Sequence, residues 1–172
     1  MTSASLKLYK LIILYFLNKT SQPMSNAIIS DFILDNGYTD YFSIQQTLTS
    51  LTDDKMIKAE QTYTTCYYTI TSAGQEMLEL FITKLPDDTK FQIDNYMKDN
   101  MERILEDTTI HIDFTQVNSN EYLAKGSVIE RGNVIMEMAL SVPTEENAAK
   151  ACKRFKEKST EIYSFLVKTL LN

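Results

Sequence analysis

Tyr38-Thr39-Asp40-Tyr41-Phe42-Ser43-Ile44-Gln45-Gln46-Thr47-Leu48-Thr49-Ser50-Leu51-Thr52-Asp53-Asp54-Lys55-Met56-Ile57 is the stretch on which the fold turns. Past the turn at Gly37 to Asp40, Ile44, Leu48 and Leu51 recur at intervals of four and three. That spacing puts one apolar stripe on a helix from about Phe42 to Asp54. The opposite face carries Ser43, Gln46, Thr49, Ser50 and Asp53, with Gln45 on its flank. It is polar yet almost uncharged, so it is suited to hydrogen bonding with a partner as well as to solvent.

Upstream, Leu6 to Leu17 is apolar on nearly every side, which predicts a helix packed on both faces and ending near Asn18. Ser25 is the expected N-cap of a second helix, Asn26 to Leu34. Ala27, Ile28, Ile29, Phe32 and Ile33 should face inward there, and Asn36-Gly37 supplies the stop. Downstream, Met56 to Thr62 and Cys66 to Thr71 are short runs rich in Tyr, Thr and Ile joined at Tyr63-Thr64-Thr65, a β-hairpin pattern. Ser72 caps a further helix to about Lys84, which Leu85-Pro86 ends.

Pro86 is the expected domain junction, dividing the chain into residues 1–86 and 87–172. Asp87-Asp88 opens a helix running to about Asp107, with Phe91, Met97, Met101, Ile104 and Leu105 as its buried positions. Beyond it, Thr108 to Val117 alternates Ile110, Ile112 and Phe114 against His111 and Asp113. Tyr122 to Glu130 and Asn133 to Val142 continue the alternation, so three strands form an antiparallel meander. Thr144 caps a last helix reaching about Leu171, and Ala148, Cys152, Phe155, Ser159, Ile162, Leu166 and Thr169 repeat along it as a heptad seam. Phe165, Leu170 and Leu171 widen that seam beyond what one three-stranded sheet can cover. Phe155, Ile162, Phe165, Leu166 and Leu170 are therefore the expected dimer contacts.

Hydrophobic residues are 44% and charged residues 23% of the 172, with 4 Gly and 3 Pro, which excludes a disordered or low-complexity chain. Two cysteines, Cys66 and Cys152, are too few for a disulfide framework and match no metal spacing, which fits a cytoplasmic protein. The apolar run Leu11 to Leu17 is too short to span a bilayer, so no membrane partner is expected. The formal charge is −6, shared as −2 up to Leu85 and −4 beyond it, so neither half is the basic body that a duplex attracts. His111 is the only histidine and has no partner at triad or ligand spacing, and no nucleophile, base and orienting group fall together. No enzyme activity, cofactor or metal is expected. Lys150, Lys153, Arg154, Lys156 and Lys158 interleave with Glu145, Glu146, Glu157 and Glu161, the pattern of a solvated helix face.

The block Leu8 to Leu85 resembles the winged-helix regulators of the PadR and MarR type. The resemblance rests on Tyr38 to Leu48 as turn and recognition helix, Asp53-Asp54-Lys55-Met56-Ile57 as exit into a wing strand, and Tyr67-Tyr68-Thr69-Ile70-Thr71-Ser72-Ala73-Gly74 as return strand entering the next helix. Leu8 to Leu17 together with Asn36-Gly37-Tyr38-Thr39 is similar to an uncharacterised bacterial family, domain of unknown function 4364, nearly over the full length. The resemblance implies an α+β chain: an N-terminal winged helix-turn-helix followed by a three-stranded antiparallel sheet covered by a long C-terminal helix. The expected function is a homodimeric DNA-binding transcriptional regulator of double-stranded DNA.

In that reading residues 42–53 enter the major groove, where Gln bonds adenine bidentately and Ser or Thr bonds several bases, so Ser43, Gln45, Gln46, Thr49 and Ser50 are the candidate readers. Lys55 and Lys58 reach phosphates, and Tyr63, Thr64 and Thr65, in a wing of about 62–66, lie on the backbone. The C-terminal domain serves dimerisation and leaves room for an unidentified small-molecule effector; the eight methionines read as core filler, with Met136 and Met138 as the alternative lining of a cavity against the last helix. The alternative is a protein-interaction adaptor that uses the same scaffold without DNA.

Overall fold

The computed structural model describes residues 3–20, 22–62, 65–130 and 133–171. The chain is mixed α+β, with seven α-helices and two three-stranded antiparallel sheets among the described residues. It forms two compact units, and the first runs to Ile104. The division therefore falls later than the expected junction at Pro86.

The first unit contains α1 (Ser3–Asn18), β1 (Met24–Ser25), α2 (Asn26–Asp35), α3 (Tyr41–Asp53), β2 (Ile57–Gln61), β3 (Cys66–Ile70), α4 (Ser72–Phe81), a short 3₁₀ turn and α5 (Asp87–Asp99). Its core is continuous from Leu11 through Leu14, Phe16, Phe32, Ile44, Leu48 and Ile57 to Ile93. α1 is wrapped, as its all-round apolar sequence requires. Ser25 caps α2 by accepting the Ile28 N–H at 3.4 Å, while Ala27, expected inside, is exposed and Ser30 is buried instead. β1 was not expected: two residues pair antiparallel with β3 at Met24↔Tyr68 and Ser25↔Tyr67, giving the order β1-β3-β2. A two-residue strand has no periodicity for sequence to display.

α4 starts one residue earlier than expected, because Thr71, not Ser72, is the N-cap and accepts from the Gly74 N–H at 3.2 Å. The expected single helix from Asp87 to Asp107 is two helices, α5 and α6 (Met101–Thr109), broken at Asn100. There the Asn100 side chain donates to the Tyr96 carbonyl at 3.0 Å, offering the backbone an alternative to continued helix. The break changes which residues face inward. Thr89, Ile93 and Ile104 are buried and Tyr96 and Met97 half-buried, while Phe91, Met101 and Leu105, expected inside, are exposed.

Tyr96 explains why α5 belongs with the first unit. Its ring lies 5.1 Å from that of Phe32 and 5.8 Å from that of Phe16, and Lys19 at the end of α1 sits 2.6 Å from Asp94. Aromatic pairs at these separations contribute about 0.5–1.5 kcal/mol beyond area burial.

The second unit is the sheet β4 (Ile110–Asn118), β5 (Glu121–Glu130) and β6 (Asn133–Val142), in that order, with α7 (Glu145–Leu171) packed on one face. Thr144 caps α7 as expected, accepting the Asn147 N–H at 3.1 Å. Directly paired residues share a face, so Phe114, Ala124 and Leu140 form one row and Ile112, Gly126 and Met138 the next. Ala148, Cys152, Phe155 and Ser159 of α7 are buried. Gly126 is required by a close approach, since a Cβ there would lie 2.4 Å from the Phe155 ring. No helix among the described residues is long and apolar enough to cross a membrane.

Candidate nucleic-acid interface

α3 is positioned by its ends as much as by its buried stripe. At its start Asp40 is the N-cap: one carboxylate oxygen accepts the Ser43 N–H and the other the Ser43 hydroxyl, both at 3.0 Å. Those bonds, the backbone one first, hold the Asp40 carboxyl below its ordinary value. At its end the Met56 N–H returns to the Leu51 carbonyl at 2.9 Å, with Lys55 in the left-handed region at φ 58°. Such a conformation costs a β-carbon residue about 1–2 kcal/mol. It is held by Thr71, whose one hydroxyl proton is shared between the carbonyls of Lys55 and Met56 at 2.8 and 3.0 Å. Gly74 completes the clamp, because a Cβ there would stand 2.1 Å from the Met56 carbonyl oxygen.

Along its length α3 buries Ile44, Thr47, Leu48 and Leu51. The candidate readers then separate. Gln46 and Thr49 are exposed and Ser50 half-exposed, on one open face. Ser43 is half-buried and committed to the Asp40 cap. Gln45 is committed inward, where its amide nitrogen donates to Asn26 Oδ1 at 3.0 Å and its oxygen accepts from Asn26 Nδ2 at 2.8 Å. The Ser30 hydroxyl donates to the same Asn26 oxygen at 2.8 Å. Gln45 is thus a brace between α2 and α3 in this structure, and not a free hydrogen-bonding edge. Tyr68 of β3 adjoins this network; burial, with Cys66 second, drives its hydroxyl well above the usual tyrosine range.

The cations nearby are few. Lys55 is exposed, whereas Lys58 pairs with Glu60 and Lys10 of α1 pairs with Asp54 at 2.6 Å. Thr65 is half-buried and its carbonyl accepts from Gln61 Nε2 at 3.1 Å. Tyr63 and Thr64 lie outside the described residues. Sequence reasoning did not single out Asn26, the Asp40 cap, or the aromatic start of α3, where Phe42 is 77% exposed beside an exposed Tyr41. The Asp40-Tyr41-Phe42-Ser43 spacing was a signal for the cap. Asn26 carried none, because its partner is nineteen residues away.

In the second unit the expected dimer seam also divides. Phe155, 1% exposed, is consumed inside its own unit and is not available to a partner. Ile162 is half-buried, and Phe165, Leu166, Leu170 and Leu171 are exposed, Phe165 by 66% and Leu170 by 73%. Beside them, along the edge strand β6, a groove of about 520 Å³ is lined by Met138, Leu140, Ala151, Ile162 and Phe165. Met136 is buried under the sheet face and does not line it. Lys158 pairs with Glu161 at 2.7 Å and Lys156 lies 3.8 Å from Glu106, as expected of a solvated face. His111 is half-buried on β4, and the described residues hold no group of three His, Cys, Asp or Glu placed to bind a metal ion.

No curated protein and no solved structure matches the chain. A family model does, over residues 9–170. The chain belongs to that family, described as a domain of unknown function (DUF4364).

Proposed function

We propose that this chain is a DNA-binding transcriptional regulator that acts as a homodimer, with the first unit as a winged helix-turn-helix. The observation that carries the reading is α3. It is capped, clamped and buried on one side, and presents Gln46, Thr49 and Ser50 on the other. The order α1, β1, α2, α3, β2, β3, with sheet order β1-β3-β2, supports α2 and α3 as the helix-turn-helix and β2 and β3 as the wing. Residues 42–53 would lie in the major groove, and the reading assigns no catalytic step.

Charge sets the strength. Lys55, and Lys58 once it leaves its pair with Glu60, would be the phosphate contacts of one protomer, so a dimer would neutralise about four phosphates at most and log K would fall with log salt at a slope of about −4 or shallower. One unit alone is too weakly held, and the exposed Phe165, Leu166 and Leu170 support a second copy as the remedy.

The test is selection of duplexes at low salt followed by gel shift with the Gln46→Ala/Ser50→Ala variant. Selection of one sequence, and a loss of about ten-fold or more in its affinity in the variant, is expected. Retained dependence on no sequence at all would sink the reading. Phe165→Glu with Leu170→Glu should turn the dimer into a monomer by sedimentation.

A second reading, a protein-interaction adaptor, is favoured by the exposed Tyr41 and Phe42 at the head of α3 and by the charge of −6. It requires Phe42→Ala to abolish a protein complex while Gln46→Ala has no effect on any duplex.

A further inference from the structure

Next to the exit from α3, and formed wholly within the first unit, is an open-mouthed cavity of about 300 Å³. Its walls are apolar: Leu11 and Leu14 of α1, Met56 before β2, and Met77 and Phe81 of α4. Three lysines line it as well, Lys7 and Lys10 one turn apart on α1 and Lys84 just beyond α4. In a chain with 17 basic against 23 acidic residues, three lysines round one hollow is a concentration of the minority charge.

Only Lys10 has a carboxylate within ion-pair distance among the described residues, Asp54 at 2.6 Å. Lys84 instead lies 4.8 Å above the Phe81 ring, and Lys7 is exposed. An apolar wall under uncompensated ammonium groups matches a ligand with the reverse polarity: an apolar body and an anionic head. At about 30 Å³ for each water-sized group, the volume admits about ten non-hydrogen atoms.

We propose that this cavity binds a small amphipathic carboxylate, with its tail against Leu14, Met56 and Met77 and its head between Lys7 and Lys84. Lys10 is shared between the ligand and Asp54, so occupancy reaches the end of α3 through one ion pair. The site stands independently of the DNA-binding reading, since direct binding of a carboxylate to the whole chain tests it without DNA.

Octanoate, which fills the volume, is the probe, titrated by calorimetry and by methionine-methyl NMR. Saturable one-to-one binding is expected, with a Kd of roughly 10–1000 μM and shifts at Met56 and Met77. Octan-1-ol, of equal length without charge, should bind about ten-fold more weakly. Lys7→Gln with Lys84→Gln, both exposed and so compatible with folding, should weaken octanoate by about ten-fold, and Met77→Phe should block it sterically. Absence of saturation above about 1 mM, octanol binding as tightly as octanoate, or shifts confined to Met136 and Met138 would each overturn the proposal.

Discussion

The two units solve the problem of burying apolar surface in different ways. In the first, a wrapped helix is covered by four helices and a small sheet, and its core joins residues from Leu11 to Ile104 without a gap. In the second, one sheet meets one helix, and the fully covered cluster is little more than Phe114, Ala124, Ala148 and Cys152, with Phe155 keyed over Gly126. The last third of α7 extends an apolar stripe that its own unit covers only in part, leaving Phe165, Leu170 and Leu171 exposed. A thick core can stand alone, whereas a two-layer core with an open end leaves apolar surface in contact with water.

The largest test of that contrast is to remove the keystone of the thin core. Phe155→Ala should cost about 3–5 kcal/mol and abolish the cooperative melting of the second unit. Leu14→Ala, of similar size of loss at about 2–5 kcal/mol, should lower the melting temperature of the first without abolishing its transition. Calorimetry resolving two transitions checks both, and equal sensitivity of the two units would break the comparison.

Glycine replacements come next, at about 1–3 kcal/mol each for overpacking. Gly74→Ala meets a backbone carbonyl, which has no freedom to move aside, whereas Gly126→Ala meets a side-chain ring that can rotate at some cost. The first should therefore be the more damaging of the two in chemical denaturation, although it lies in the more robust unit.

Asn26→Ala removes the brace between α2 and α3 and should cost about 1–3 kcal/mol, because the half-buried Gln45 amide loses both partners. Gln46→Ala should be neutral in the same measurement. A double-mutant cycle of Asn26 with Gln45 should show coupling, and additivity would mean that the paired amides contribute nothing jointly.

The smallest effect is the pH dependence of the cap. The Asp40 carboxyl sits below its unfolded value of 3.8, so its contribution is complete above that pH and is lost as pH falls through the lower folded value. Asp40→Asn, which keeps a capping oxygen without the charge, should flatten the melting temperature against pH only in this acid window. Unchanged slope there would assign the cap no ionic part.

Much of the local structure was legible because its causes are local. Ser25, Thr144 and the alternation from Ile110 to Val142 predict elements through capping and period, and the structure places them there. Thr71 took the role expected of Ser72, a shift of one residue between two chemically equivalent hydroxyls. The helix break at Asn100 is not legible in the sequence, because asparagine is tolerated inside a helix unless it turns back on its own backbone. Of the candidate interface, the sequence distinguished the buried from the open side of α3. It placed Gln45 on the flank but not in its bonds to Asn26, which lies nineteen residues away in the chain.

By itself, then, the amino-acid order determined the element types, their caps and their apolar faces, because these depend on neighbours within one or two turns. The tertiary structure decided which polar side chains are already spent, that α5 joins the first core through Tyr96, and that Phe155 is keyed into Gly126 while Phe165 is left open. Each of those outcomes is a contact between residues far apart in the chain, and no spacing along the sequence encodes a distance across it.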